Sequence, residues 1–359
     1  MVQKEELKKI ICSALSSGIS RKELENFLAE FGWPQEMVHE YINIDCDNLP
    51  IIYVRGVSKS FGKHQVLQDV TFHINKGEIL GIIGASGVGK TTLLNIIVGF
   101  VQPDSGEIVL NIPHKPGWGG SRDVKRMFGF AAQTPSFYPH LTARENIEHF
   151  AALYGFTKAE RRLRAESLLK LVGLSDFAEL LASQLSGGMQ KRLDIACALV
   201  HNPPILILDE PVADIDLLLR QQMWNLIKAI NKRGTTVIIA SHFLLELESL
   251  CTRIALLHKK KITQIGSPPE LSSALLKKHR MTLELASRNY TQLFSELARD
   301  PKLKCQFFIQ EGKAVLLTES PEELLHALVH ILERSKDTLL ELNISKPTLK
   351  ELFEVVEKG

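Results

Sequence analysis

EILGIIGASGVGKTT, residues Glu78 to Thr92, decides the fold. An apolar run (Ile79, Leu80, Ile82, Ile83) stops at glycine, and a helical pattern starts after Lys90. Gly84, Gly89, Lys90 and Thr91 keep the spacing G-x-x-x-x-G-K-[ST] of a phosphate-binding loop. The spacing has a physical cause. Glycines let the backbone turn tightly and bring its N–H groups up to phosphate oxygens. The helix that follows points the positive end of its dipole at the same anion. Lys90 adds a point charge for the β/γ-phosphates, and Thr91 offers a hydroxyl to Mg²⁺. The nucleotide-binding stretch is therefore Gly84, Ala85, Ser86, Gly87, Val88, Gly89, Lys90, Thr91 and Thr92.

The 359 residues allow two or three domains, at ~100–200 residues each. A formal charge of +2 and 23% charged residues suit an ordinary globular protein and give no support to a nucleic-acid binder. The five cysteines are scattered and lack C-x-x-C, which points to reduced thiols rather than a disulfide frame or a zinc site. No apolar run reaches the ~18 residues of a membrane span. The start, MVQKEELKKI, is too charged for a secretion signal. If the protein works at a membrane, other chains supply the spans.

Residues 4–44, in a module at 1–48, read as short helices, and Asp45–Pro50 reads as the linker that follows. Ser20 and Glu23 form a capping box for one that carries Leu24, Phe27, Leu28 and Phe31, and Pro34 opens another. Two readings stand for this module. It docks another protein, with a pattern similar to a three-helix ubiquitin-associated module, or it packs on its own neighbour. From Ile51 the periodicity is that of strands, Ile51–Val54 and Val70–Ile74. Phe128–Ala132 is a short strand ending in Gln133. Thr142 with Glu145 caps a helix, and Lys158–Val172 is another, with a stripe of Leu163, Leu168, Leu169 and Val172 and a solvated face of Arg161, Arg162 and Arg164. LSGGMQKR (Leu185–Arg192) opens a helix to about Val200. Ile205–Leu208 reads as a strand buried on both faces and ends in Asp209-Glu210. A helix Leu217–Asn231, a strand Thr236–Ala240, His242 and two further strands follow. Alternating strands and helices imply an α/β fold with a largely parallel sheet. Residues 271–359 read as a smaller α+β domain with strands at Met281–Leu285, Cys305–Ile309, Ala314–Leu317 and Leu339–Asn343. Its helices are Tyr290–Ala298, Pro321–Arg334 and Thr348–Glu357.

The phosphate loop, Gln133, LSGGMQKR, ILILDE and His242 occur in the order and approximate spacing of ABC-transporter nucleotide-binding domains. The chain resembles that family over about residues 51–267, and its tail looks like that of ABC-2-type exporters. The resemblance implies a P-loop NTPase cassette at 49–270, with an antiparallel β part and a helical subdomain at about 137–185. It implies a catalytic Glu210 polarising the attacking water, His242 on the γ-phosphate, and Gln133 touching both metal and water. Asp209, Thr91 and Gln133 are the implied Mg²⁺ set, and Phe61 the ring that stacks on adenine. Taken alone, a helix N-cap accounts for two adjacent acids after a strand better than catalysis does. Ser186, Gly187, Gly188 and Asp216 are implied to contact the ATP held by a second cassette, hence a head-to-tail dimer. Ala132 stands where the family has Pro, and Asp214 where it has Gly.

The expected function is the ATP-hydrolysing subunit of a membrane exporter, peripheral on the cytoplasmic face and working with a separate permease. The alternative is a soluble ABC ATPase acting on ribosomes or nucleic acid. Its families usually carry two cassettes or a long coiled coil, for which Thr92–Leu185 leaves no room.

Overall fold

A computed structural model describes residues 11, 20–34, 38, 50–111, 124–213, 215–243, 247–274, 279–298, 305–310, 312–335 and 337–345. The expected linker Asp45–Pro50, apart from Pro50, lies outside them, as do Asp214 and the expected helix at 348–357. Two compact units divide the chain: Met1–Phe243 with Leu250–Ile265, and Leu244–Ser249 with Gly266–Gly359. Among the described residues no helix is long and apolar enough to cross a membrane.

In the first unit, helix α1 (Arg21–Glu30) starts on the expected box: Glu23 N donates to Ser20 Oγ and Ser20 N to Glu23 Oε2. Leu24 and Leu28 are buried, but Phe27 and Phe31 are exposed, with their rings in tilted contact at 4.6 Å, so the expected four-residue apolar face is half outside. Strands β1 (Pro50–Phe61) and β2 (His64–Asn75) are far longer than their apolar runs. They pair antiparallel, with β4 (Ser105–Leu110) on the other side of β1. Between them in sequence lie β3 (Ile79–Ile83) and helix α2 (Lys90–Val98).

The main sheet has the order β5-β6-β7-β3-β8-β9. Its strands are β5 (Phe128–Ala131), β6 (Ile205–Asp209), β7 (Thr236–Ser241), β8 (Arg253–His258) and β9 (Lys261–Gly266). Pairing is parallel from β5 through β6, β7 and β3 to β8. β3, β6 and β7 are buried at every position, as a sheet covered on both faces requires. Their carboxyl ends lie side by side, and in such sheets the loops leaving those ends form the ligand crevice.

Three helices form the layer inserted between β5 and β6: α3 (Ala143–Leu153), α4 (Lys158–Val172) and α5 (Gly187–Ala198). The Thr142–Glu145 box starts α3 as expected, and Thr157–Glu160 starts α4 in the same way. The α4 stripe differs from expectation. Ala165, Leu168, Leu169 and Val172 are buried, whereas Leu163 is 67% exposed. Arg164 does not belong to a solvated face: it donates to the Val200 and Leu199 carbonyls at 2.7 and 2.8 Å and also to Asn202. Leu199 O also accepts from Asn202 N at 3.1 Å, so the guanidinium adds to the bonding of the carbonyls that end α5.

Just beyond α5, His201 Nε2 donates to Phe128 O at 3.1 Å, and the ring stacks on Tyr154 at 3.9 Å. Its Nδ1 is buried without a hydrogen-bond partner among the described residues. Burial, with Arg164 and Arg126 nearby, pushes its pKa down to about 4. The folded form therefore resists a proton that the unfolded chain accepts below its ordinary pKa of 6.5. Stability is unaffected above that pH and falls between 6.5 and 4, by at most about 3 kcal/mol and less for the solvated ring edge. His201→Gln should flatten this acid limb in melts from pH 7 to 4. An unchanged limb would show that other groups set it.

The second unit carries an antiparallel sheet of order β11-β12-β10-β13. Its strands are β10 (His279–Leu285), β11 (Gln306–Gln310), β12 (Lys313–Thr318) and β13 (Leu339–Ser345). Helix α6 (Leu217–Asn231) belongs to the first unit; α7 (Pro268–Ala274), α8 (Thr291–Leu297) and α9 (Pro321–Ser335) belong to the second. Met281, Leu283, Leu293, Leu316, Leu324 and Leu328 make that unit's core.

Candidate nucleotide site

A cavity of about 420 Å³ opens where β3, β5, β6 and β7 end. Phe61, Ser86, Gly87, Gly89, Lys90, Thr91, Thr92, Gln133, Glu210 and His242 line it, so residues from five separate stretches meet as the sequence order implied. Gly84 sits where a side chain has no room: a Cβ would stand 2.5 Å from Leu257 O. Gly89 has φ +114, which L side chains rarely adopt.

Lys90 is 6% exposed and donates to Gly84 O at 2.9 Å and Ala85 O at 3.3 Å. It also lies 3.3 Å from Glu210 Oε1. The other Glu210 oxygen is 2.9 Å from His242 Nδ1. A carboxylate only accepts, so Nδ1 carries the proton and His242 Nε2 is the nitrogen left for another group. Glu210 takes a left-handed backbone, φ +51, and its N–H donates to Ala240 O at 2.9 Å, which fixes it at the strand ends.

Thr91 Oγ1 donates to Asp209 Oδ2 at 2.7 Å. Asp209 is 2% exposed, and its Oδ1 is buried with no hydrogen-bond partner among the described residues. Burial raises its pKa, the neighbouring Glu210 charge adds to this, and the Thr91 hydroxyl and Lys90 oppose it. An orphaned carboxylate oxygen beside a hydroxyl is an oxygen donor pair of the kind Mg²⁺ takes, so these residues fit the cation.

Two alternatives raised by the sequence are now separable. Neither Asp209 nor Glu210 caps a helix; Asp216 does, accepting from Leu219 N at 3.0 Å at the start of α6. Ser186 caps α5 through Met189 N at 3.4 Å. Ser186, Gly187, Gly188 and Asp216 are not among the residues that line the cavity. A Cβ at Gly188 would meet Leu219 at 3.2 Å, while one at Gly187 would meet nothing within 4 Å among the described residues.

His64, Val66 and Ala213 line the cavity without having been singled out in the sequence. Hairpin pairing sets His64 directly opposite Phe61 across the Gly62-Lys63 turn. The glycine between two strand patterns was the available signal.

A model of the ABC transporter family matches residues 67–213. The linearmycin resistance ATP-binding protein LnrL of Bacillus subtilis is 30% identical over 315 residues, 84% of this chain and 97% of LnrL. The spermidine/putrescine import ATP-binding protein PotA of Protochlamydia amoebophila is 40% identical over 224 residues, 61% of this chain and 58% of PotA. Among solved structures, the dimeric, post-hydrolysis ATP-binding cassette MJ0796 bound to ADP and Pi superposes with a TM-score of 0.54 at 32% identity, over 60% of this chain and 98% of that one. The chain belongs to the ATP-binding cassette family and is an ATP-hydrolysing subunit of a transporter.

Proposed function

We propose that this subunit powers an exporter through a separate permease and works as a head-to-tail pair on the cytoplasmic face of the membrane. The observation that carries the catalytic part is the convergence of Lys90, Thr91, Gln133, Glu210 and His242 on one cavity, with Asp209 bonded behind Thr91 and one of its oxygens unpartnered among the described residues.

In this reading Gly84 to Thr92 wrap the phosphates, and Phe61, 52% exposed, stacks on the base. Asp209, Thr91 and Gln133 hold Mg²⁺, which neutralises phosphate oxygens when bound. Lys90 leaves Glu210 for the β/γ-phosphates. Glu210, freed on that side, takes a proton from the attacking water. His242 stays oriented by its Nδ1 bond and presents Nε2 to the γ-phosphate. The helix tip at Ser186–Gly188 and Asp216 meet the nucleotide of the second copy, and Gly187, uncrowded by its own chain, suits a close approach. Binding closes the pair and loss of the γ-phosphate opens it. Part boundaries follow the sequence: a helical module at 1–48, the cassette at 49–270 and a regulatory or dimerisation domain at 271–359. The first of these is free to bind a further protein.

Export rests on the tail's likeness to ABC-2-type exporters and on the length shared with LnrL, a resistance protein by its name. PotA is an import protein by its name, so direction needs its own experiment. The chain, tagged and drawn from detergent-solubilised membranes, should bring down an integral membrane protein. Inside-out vesicles holding both should take up a substrate of that permease when ATP is added outside. Uptake by right-side-out vesicles with ATP sealed inside would reverse the direction, and retrieval of the chain alone would remove the permease.

A further inference from the structure

Helix α5 holds the segment after β5 at two points. Lys191 Nζ donates to the Gln133 carbonyl at 2.6 Å. One turn along, Asp194 Oδ1 accepts from Ser136 N at 2.9 Å and from Ser136 Oγ at 2.8 Å. Residues three apart share one helix face, and the loop residues gripped are also three apart. A single face of α5 therefore grips both ends of Gln133–Ser136.

The hold continues downstream. Asn146 on α3 accepts from Tyr138 N at 2.7 Å and donates to the Tyr138, Leu141 and Thr142 carbonyls. Upstream the chain belongs to the sheet: Ala131 is the last residue of β5 and pairs with Leu208. Only Ala132 separates the sheet-paired strand from the clamped loop. Asp194 is unusual for this duty. It is 1% exposed, and its Oδ2 is buried with no partner among the described residues. Burying a carboxylate costs more than burying an apolar side chain, so the bonds to Ser136 have to offset that cost.

We propose that Lys191 and Asp194 are positioning residues that make Gln133 a rigid extension of α5, so that movement at the Ser186 tip of the helix is delivered to Gln133 in the chain's own cavity. The proposal rests on the roles given above to Gln133 and Ser186. In a head-to-tail pair it has a specific consequence. Nucleotide in one cavity presses on the partner's helix tip, and the clamp carries that to the partner's Gln133. The two cavities are then coupled, and removing the clamp uncouples them without touching phosphate contacts.

The test uses ATP hydrolysis by the full chain as a function of ATP concentration. Lys191→Met and Ser136→Ala alter side chains near the surface, so folding is checked by melting and should be kept. Each should lower kcat about tenfold, roughly the worth of one charge-assisted hydrogen bond. KM should stay within about twofold of wild type, since no phosphate contact is lost, and the Hill coefficient should drop towards unity. Asp194→Asn retains an acceptor for Ser136 and should recover most of what Asp194→Ala loses. Gln133→Ala is run beside them. If Gln133→Ala is slow while Lys191→Met and Ser136→Ala keep wild-type kcat and Hill coefficient, the clamp is overturned and the role of Gln133 stands. If Gln133→Ala is as fast as wild type, both fall. A slower variant with an unchanged Hill coefficient also overturns the coupling.

Discussion

Glu210→Gln is expected to bind ATP and to hydrolyse it about 10²- to 10⁴-fold more slowly, the usual worth of a positioned base. The amide keeps the size of the side chain but cannot take the proton. The geometry adds a second expectation. Glu210 shares Lys90 with the Gly84 and Ala85 carbonyls. With the carboxylate charge gone, Lys90 no longer has to leave its ion pair with Glu210 when phosphate arrives, so ATP affinity should rise. Nucleotide that binds better and is not consumed should trap the closed pair, visible as an ATP-dependent dimer on gel filtration. Wild-type turnover in this variant would remove Glu210 as the base.

Lys90→Ala should weaken ATP binding by roughly 30- to 5,000-fold, since truncating one partner of a buried charge pair costs about 2–5 kcal/mol. Both side chains of the Lys90–Glu210 pair are more than nine-tenths buried, so the variant also strands Glu210 beside His242 alone. Loss of one partner from such a pair destabilises by about 3–5 kcal/mol. Melting and calorimetry therefore belong together. Lys90→Met keeps the stem and narrows the change to the charge. Affinity unchanged in a folded variant would rule out the phosphate-loop role.

What could be read from the sequence was what depends on near neighbours along the chain. Ile205–Leu208 and Thr236–Ala240 announced themselves as strands because a doubly covered sheet demands unbroken apolar runs. The caps at Ser20 and Thr142 were legible because donor and acceptor lie three residues apart. Ser86 to Thr92 were legible because spacing within a phosphate loop is set by phosphate geometry, whereas Phe61, Gln133, Glu210 and His242 were legible through the family resemblance. Contacts between distant residues were not. Arg164 looked solvated beside Arg161 and Arg162, yet its guanidinium reaches carbonyls 35 and 36 residues away. Leu163 fitted a helical stripe, but the buried face is set by which neighbour α4 meets and runs through Ala165 instead. Val66 joins the cavity only because β2 passes the phosphate loop. Asp194 reads as one more polar residue on a helix until Ser136, 58 positions upstream, is seen against it.

Gly187 offers a practical opening. It stands at the first position of α5 with free space where a side chain would begin. A cysteine placed there would sit at a helix N-terminus, which favours thiolate and speeds alkylation. The described native thiols compete poorly: Cys197 and Cys251 are buried, Cys305 is half-buried, and burial raises the pKa of all three. A fluorophore attached at that tip would report, in solution and in real time, whatever molecule comes to cover it.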